Sequence, residues 1–514
     1  MNEISTPLSN SSRSYLRKKW LILFGTGMAG VTIGLDLTIV NSSLPNIQYA
    51  LNASINQLQW IMAGFGLCFC AFLVVLGRFG DIYGRKKFLI FSLILFSLAS
   101  FGAGSASSAN ILIIMRMLQG LFGAAILPCG TALTASAFSK KEQGRALGIY
   151  GSLVGIGIGI GPLLGGIIDT TLNWRWIFYI NIPIIFASLL ICIPILTESK
   201  LMQKIEVDWK GALLLAVVLG LVTFIITESE FYGWASWIMI SASIIGITSF
   251  LLLYRREKKA SMPIIPLYLF RNTGFLLATI IYAGSVAFHW PVLFLMPIYL
   301  HDVLGYDPKT ASLVLSSMTL MTIISPILAG YFYDKKSKSL AVHILFALNI
   351  ISLLMFFGFN KSGPLWIILP SFILFGLAWG IGNGISTPIA LSQLSNSEDA
   401  GVISGAITTI LNIFAVFSLT ITLAVFQLSN KYFFIRKAGA LININTVKLL
   451  DAHSLLGISK QVNSLFPVHI RNSLISIYKE SFLLGANSAY FLILIATLIC
   501  WIIASKLIKS VFKA

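Results

Sequence analysis

The sequence predicts an all-α polytopic membrane protein: two parallel six-helix bundles with two inserted helices between them, about fourteen transmembrane helices in all. Three observations predict it. Of 514 residues, 57% are hydrophobic and only 11% are Asp, Glu, Lys or Arg, against about 25% charged in a soluble domain. Positive charge recurs in every second connection but one. The chain also repeats itself at a fixed offset. Together these exclude a disordered chain and a soluble multidomain protein. The excess of 36 basic over 18 acidic residues, net +18, would suggest a nucleic-acid partner in a soluble protein; here it reads as a topology signal, and the surrounding partner is a lipid bilayer.

Apolar windows long enough to cross a bilayer fall near 20–41, 57–76, 88–105, 111–137, 146–168, 176–196, 211–228, 236–253, 273–300, 310–331, 340–359, 365–391, 401–428 and 483–505. The first follows a basic segment (Arg13, Arg17, Lys18, Lys19) with no small-residue cleavage site, so it is expected to be retained as a span. An even number of crossings puts both termini on one side. With the termini inside, the inner segments hold 25 Lys/Arg, whereas the outer loops up to residue 364 hold only Arg175, Lys309 and Lys361. The positive-inside rule therefore predicts cytoplasmic termini in a cell (inner or plasma) membrane. Residues 429–480 conflict with it, carrying seven Lys/Arg on the outer side; long loops translocate with less regard to charge. Trp20, Trp60, Trp174, Trp209, Trp237 and Trp366 stand at predicted span ends, where an amphipathic ring sits well.

Gly77 and Asp81 in a basic loop recur as Gly330 and Asp334, both 253 residues later, and the same offset carries Trp20 to Thr273 and Gly123 to Gly376. Spans 1–6 and 9–14 are thus predicted to be parallel repeats, an architecture that places a transporter's substrate site near mid-membrane at the repeat interface. The expected domains are a cytoplasmic N-terminal tail (1–19), an N-terminal six-helix bundle (20–196), a linker with two inserted transmembrane helices (197–272), a C-terminal six-helix bundle (273–505) with an extracytoplasmic loop at 429–480, and a cytoplasmic C-terminal tail (506–514).

The chemistry-bearing residues are few. In the loop 77–87, Gly77, Gly80 and Gly84 permit a tight turn and close helix approach, and Asp81 can pair with Arg78 or Arg85, with Lys86 and Lys87 beside them. Of 54 charged residues, only Asp36 and Arg116 fall well inside a predicted span. A charge at a helix centre costs about 2.5–3.5 kcal/mol on insertion scales, so such residues usually face a polar cavity. A desolvated carboxylate can load and release a proton. Arginine stays charged and cannot carry one; Arg116 could bias Asp36, anchor an anionic substrate group, or brace span 4 against a carbonyl. Span 5 has two glycine faces, 151/155/159 and 157/161/165, followed by Gly166, suited to backbone-to-backbone packing, with Pro162 loosening the helix. His289 either lines a cavity or is a hydrogen-bonded packing histidine; Phe288, Trp290 and Trp379 either stack on a planar ligand or pack. The five cysteines sit in apolar stretches as packing residues, and no metal site or cofactor is expected.

Taken in chain order, several stretches resemble the major facilitator superfamily, specifically its 14-span drug:proton antiporter branch (multidrug efflux permease-like). They are Leu35-Asp36-Leu37-Thr38-Ile39-Val40-Asn41 with Leu44-Pro45, the loop Gly77–Lys87, Arg116-Met117-Leu118-Gln119-Gly120, Gly161-Pro162-Leu163-Leu164-Gly165-Gly166, Trp174–Pro183, and Asp208-Trp209-Lys210-Gly211. The resemblance runs over nearly the whole chain. It implies that Asp36 and Arg116 serve proton coupling and that Gly77, Arg78, Gly80, Asp81, Gly84, Arg85 and Lys86 form a loop that latches the two halves in one state. It also implies that Gly157, Gly161, Pro162, Gly165 and Gly166 belong to an antiporter motif. Candidate cavity residues are Asn41, Gln119, Phe288, His289, Trp290 and Trp379. The chain departs from cation exporters of this branch in having no carboxylate inside spans 9–13 and in reading Leu411-Asn412-Ile413-Phe414 in span 13, which leaves room for a neutral or anionic substrate.

The expected function is export of small, largely apolar compounds by proton antiport with alternating access. The alternative is a dedicated carrier of a vitamin, a siderophore or an amino-acid-like metabolite, with import open. A membrane-embedded enzyme would need a cluster of titratable or metal-binding residues near one face, and none is present in the sequence. A monomer is expected, or, if the source is Gram-negative, a periplasmic adaptor and an outer-membrane channel as partners.

Overall fold

The computed structural model describes residues 10–139, 142–198, 208–260, 263–264, 267–325, 329, 338–391, 400–439, 441 and 467–511. Among them every regular element is helical, and 13 helices are long and apolar enough to cross a membrane. Spans 1–6 lie in Asn10–Ser42, Ile55–Tyr83, Arg85–Gly104, Ala109–Ala137, Gln143–Thr171 and Trp176–Ile195. Spans 7 and 8 are Trp209–Tyr232 and Trp237–Lys259; span 9 is Thr273–Val303; spans 11–14 are Lys338–Phe356, Leu365–Leu391, Ala400–Ala438 and Val468–Val511. Span 10 starts as the helix Pro308–Thr319 and runs towards Ser325. The repeat of the basic loop, Gly330 to Asp334, lies outside the described residues.

Polar residues set where the helices begin. Ser54 and Gln57 form a capping box at span 2, and the side chains of Ser108, Asp208, Ser236, Asn272 and Asp307 accept from first-turn N–H groups of spans 4, 7, 8, 9 and 10. Each satisfies a donor that has no partner within its own helix. Span 9 is interrupted by π-helical turns at Tyr282–Val286 and Tyr299–Val303.

The largest boundary difference from the sequence reading lies at spans 13 and 14. Residues 429–438 and 468–480 are helical, extending spans 13 and 14, so the expected loop 429–480 is much shorter. The two extensions bury Phe434, Ala438, Leu474 and Tyr478 against each other's surroundings. Their charges are held by partners: Lys437 pairs with Glu480, and Lys479 Nζ donates to the Val303 carbonyl at 2.7 Å. Basic residues therefore ended the apolar windows there without ending the helices.

The face carrying residues 18 and 511 is called here the terminal face, and the opposite one the distal face. A single apolar core on the distal side joins both halves, from Leu35–Leu44 and Ile55–Ala63 to Val292–Val303, Phe372–Trp379 and Leu419–Phe434. Towards the terminal face the core divides into two clusters, one in each half. The halves are thus closed together distally and part towards the terminal face.

Spans 7 and 8 pack on each other, and span 7 lies over the seam between spans 2 and 13. Leu215 and Leu219 meet Leu67, Ala71 and Val416 there, while Gln59 Nε2 donates to Thr227 Oγ1 at 2.9 Å and Trp60 Nε1 to Glu228 at 3.2 Å. Outward-facing Phe91, Leu98, Phe186, Ile247 and Trp237 are all exposed. A continuous apolar belt of this kind is the surface of a protein solvated by lipid.

Candidate functional site

Asp36 lies in span 1 with its side chain 0% exposed, and Arg116 of span 4, 1% exposed, forms an ion pair with it. Gln119, one helical turn after Arg116, donates to Asp36 Oδ1 at 3.1 Å, and Asn181 of span 6 donates to the same oxygen at 2.9 Å. Ser100 of span 3 accepts from Gln119 Nε2 at 2.7 Å. Arg116 also donates Nε–H to the Ile61 carbonyl at 3.3 Å and lies over the Phe65 ring, 4.4 Å from its centre. Five spans thus converge on one carboxylate. All three groups facing the carboxylate are donors, matched to an acceptor-only group. Sequence reasoning missed Asn181 and Ser100. Asn181 stood in the Trp174–Pro183 motif; Ser100 carried no signal among many serines.

Arg116 also lines an apolar pocket between the halves. Spans 1, 2 and 4 supply Leu37, Met62, Phe65, Phe69 and Arg116, and spans 9 and 13 supply Trp290, Asn412 and Val416. Of the candidate cavity residues, only Trp290 lines it. Gln119 belongs to the Asp36 cluster. Asn41 is buried, donating to the Thr38 carbonyl at 3.1 Å, with its Oδ1 unpartnered among the described residues. Phe288 packs against the distal core. His289 and Trp379 stack on each other, ring centres 4.9 Å apart, between spans 9 and 12. The reason is local: a π-helical turn inserts one residue into the helical register, so the turn at Tyr282–Val286 sends His289 towards span 12 and leaves Trp290 facing the cavity.

Span 5 uses its glycines in two directions. A Cβ at Gly157 would lie 2.4 Å from the Val31 carbonyl, at Gly161 2.0 Å from Thr38 Oγ1, and at Gly165 2.1 Å from Ser42 Oγ, so this face seats directly on span 1. Pro162 lies inside the same helix. Gly166 and Gly159 instead face span 10 of the other half: a Cβ at Gly166 would meet Ser312 at 2.1 Å, and Thr319 Oγ1 donates to the Gly159 carbonyl at 2.8 Å. Gly151 and Gly155, nearer the terminal face, meet nothing within 4 Å. Contact at one end of the helix and clearance at the other is the same parting of the halves seen in the core.

The stretch read from sequence as a loop after span 2 is almost wholly helical: Gly77–Tyr83 end span 2, Arg85–Lys87 begin span 3, and Gly84 alone joins them. It is bound within its own half and to the inserted spans. Gly77 and Gly80 pack on Pro128 and Cys129 of span 4. Gly84 has φ +109°, and the Glu198 carboxylate occupies the space a Cβ would need. That carboxylate accepts from the Lys86 and Lys87 N–H groups at 3.2 and 3.3 Å, at the positive end of span 3. Lys86 Nζ donates to the Leu196 carbonyl at 2.7 Å, Arg85 pairs with Asp81 at 2.6 Å, and Arg78 lies within electrostatic reach of Asp208, Glu257 and Asp81.

Two helical halves that close over a cavity on one side and part on the other, with a buried ion pair in the cavity wall, have the construction of a membrane carrier. The chain belongs to the Major Facilitator Superfamily, whose family model matches residues 26–419. It is 30% identical over 394 residues to the probable actinorhodin transporter of Streptomyces coelicolor, covering 73% of this chain and 67% of that protein. It is 32% identical over 320 residues to multidrug resistance protein 3 of Bacillus subtilis, spanning 62% of each. Among solved structures, a bacterial homologue of the human lysosomal transporter Spinster has the same fold, with a TM-score of 0.66 over 96% of this chain and 98% of that one at 14% identity.

Proposed function

We propose that the protein exports small, largely apolar, flat compounds across a cell membrane in exchange for protons. The observation that carries this reading is the position of Arg116, which holds Asp36 on one side and forms part of an apolar, aromatic cavity wall on the other. A substrate in that cavity and a proton on Asp36 would therefore compete for the arrangement of one guanidinium. Competition of that kind makes each ligand weaken the other, which is what exchange requires. Phe65, Phe69 and Trp290 offer ring faces, and among the described residues no carboxylate lines the cavity, so an uncharged aromatic compound fits better than a cation. The names of the two relatives, one for an antibiotic and one for multidrug resistance, support the same class.

On this reading the termini are cytoplasmic and the conformation faces inward with Asp36 deprotonated. The units are the halves 20–196 and 273–505 joined by 197–272, and the loop 77–87 serves as a latch in states where the terminal face closes. The test uses everted membrane vesicles with an imposed pH gradient and three fluorescent probes: ethidium, fluorescein and an uncharged aminoanthraquinone. Gradient-driven movement of the aminoanthraquinone that is lost in Asp36→Asn is the expected result. Undiminished transport by Asp36→Asn removes Asp36 from the coupling, and preference for ethidium overturns the assignment of an uncharged substrate.

A further inference from the structure

The sequence repeat extends to contacts. Gly120 of span 4 lies against the Phe65 carbonyl of span 2, and Gly376 of span 12 lies against the Met318 carbonyl of span 10, with Met318 standing 253 positions after Phe65. That offset takes Asp36 of span 1 to His289 of span 9. The glycine contacts set the offset between spans 4 and 12 at 256, pairing Gly376 with Gly120 rather than with Gly123 as the sequence offset of 253 had it, and 256 takes Gln119, a donor to Asp36, to Phe375. The Phe375 carbonyl oxygen lies 2.7 Å from His289 Nε2. His289 thus stands from Asp36 at the offset that links spans 2 and 10, and it touches Phe375 as Asp36 touches Gln119.

Its surroundings specify a protonation state. The side chain is 0% exposed, stacked on Phe375 with ring centres 3.9 Å apart and on Trp379 at 4.9 Å. Nδ1 lies 2.9 Å from the Ser285 carbonyl oxygen and Nε2 lies 2.7 Å from that of Phe375. Carbonyls only accept, whereas a neutral imidazole carries one N–H and one lone pair. In either tautomer one ring nitrogen would face a carbonyl oxygen lone pair to lone pair. Only the imidazolium, with an N–H on each nitrogen, satisfies both, and aromatic faces on either side favour a cation.

Charges on the packed elements lie towards the membrane edges: His301 and Asp302 on span 9, Lys309 at the start of span 10, Lys338 and His343 on span 11, Lys431, Arg436 and Lys437 on span 13, and Arg471, Lys479, Glu480, Lys506 and Lys509 on span 14. The phenols Tyr282, Tyr299 and Tyr490 and the thiol Cys500 lie between them, span 12 carries no charged residue, and across the interface spans 1 and 4 carry the mutually paired Asp36 and Arg116, with Arg13, Arg17, Lys18 and Lys19 at the terminal start of span 1.

We propose that His289 is a second proton-carrying group of the transport cycle, loaded in this conformation while Asp36 is unloaded; the proposal rests on the proton-antiport reading above. The proton comes from water on the distal side when the halves open there, resides on the imidazole, and returns to water when the second half rearranges.

The test is solid-state NMR on full-length protein in lipid bilayers with 15N-labelled histidine. The signal of His289 is assigned as the one lost in His289→Gln, and independently as the one that remains when His301, His343, His453 and His469 are replaced by Gln. Protons on both ring nitrogens of His289 near neutral pH are expected. A single ring N–H throughout about pH 5 to pH 9 overturns the proposal, whether or not the wild-type protein proves to be an antiporter. In vesicles, His289→Gln should slow pH-driven aminoanthraquinone efflux at least tenfold, roughly the loss of one acid–base group. Exchange of the same probe without a gradient should stay within about twofold. Equal losses in both would make His289 a packing residue, and an unchanged pH-driven rate would also overturn the proposal. A wild-type protein that accumulates the probe against its own gradient with no proton gradient imposed would refute the antiport reading instead.

Discussion

Replacing Arg116 by Met leaves the Asp36 carboxylate with two amide donors, Gln119 at 3.1 Å and Asn181 at 2.9 Å, and leaves the Ile61 carbonyl without the donor at 3.3 Å. Removing one member of a buried ion pair costs about 3–5 kcal/mol, because the remaining charge is uncompensated. Asp36→Asn strands the Arg116 guanidinium and should cost a similar amount. Additivity would put the double variant at about 6–10 kcal/mol. The structure predicts otherwise: with both charges gone, the new amide oxygen still accepts from Gln119 and Asn181, and the main residual cost is the loss of the Arg116 donor to Gln119 Oε1 at 3.0 Å, about 1–3 kcal/mol. The coupling should therefore be about 5 kcal/mol, measured as a double-mutant cycle from unfolding in mixed micelles followed by tryptophan fluorescence. A double variant whose loss equals the sum of the singles within about 0.5 kcal/mol would refute the buried pair.

Gly155→Leu enters open space and should fold within about 0.5 kcal/mol of wild type, yet abolish transport by blocking closure of the terminal face; a folding defect would mean the clearance is absent. Gly161→Val, by contrast, drives a side chain into Thr38 and should destabilise by about 1–3 kcal/mol, read by thermal unfolding. Trp290→Ala should weaken aminoanthraquinone binding about tenfold in a fluorescence titration while Phe288→Ala changes it little; equal effects would show that the ring at 288 also reaches the cavity. Asp307 lies before span 10, and the Thr310 hydroxyl, followed by the Thr310 backbone N–H, holds its carboxyl below the usual carboxylate range. Its stabilising effect is full above the unfolded value of about 3.9 and is lost as pH falls through the folded one. The melting temperatures of Asp307→Ala and wild type should accordingly differ at neutral pH and converge in acid, and a gap that persists in acid would refute the capping role.

Asp36 and Arg116 were legible in the sequence because a charge within an apolar window is rare enough to stand out without any structure. The glycines of span 5 were legible as faces, since four-residue spacing puts them in line, but not as to which face meets which helix. The cavity was less readable. Helical periodicity assigns directions only while the register is regular, and the π-helical turn at Tyr282–Val286 shifts everything after it, so the alternatives left open for His289 and Trp290 could not be separated from sequence. Asn181 and Ser100 are uncharged, and nothing in a polar residue's identity says that it points at a carboxylate on another span. The helical extensions around Lys437 and Glu480 were hidden for the opposite reason: charge marks where a helix leaves the bilayer, and the helix need not stop there.

The arrangement of span 5 suggests how movement of the halves could reach the buried carboxylate. Gly157, Gly161 and Gly165 let span 5 lie on span 1 at backbone distance, and Thr38 Oγ1 donates to the Ile158 carbonyl at 2.9 Å, two residues from Asp36 in sequence. Spans 1 and 5 are thereby fixed to each other more firmly than either is to the second half. The contacts of Gly159 and Gly166 with span 10 lie at and beyond the middle of the same helix, while Gly151 and Gly155 have clearance. A tilt of span 10 about the Gly159–Thr319 hydrogen bond would close the terminal end onto Gly155 and Gly151 and lift Ser312 from Gly166. Because span 1 travels with span 5, that tilt would also shift Asp36 relative to the wall formed by Trp290 and Asn412. Proton affinity would then change with the closing of the halves through packing alone, without a moving part dedicated to the carboxylate.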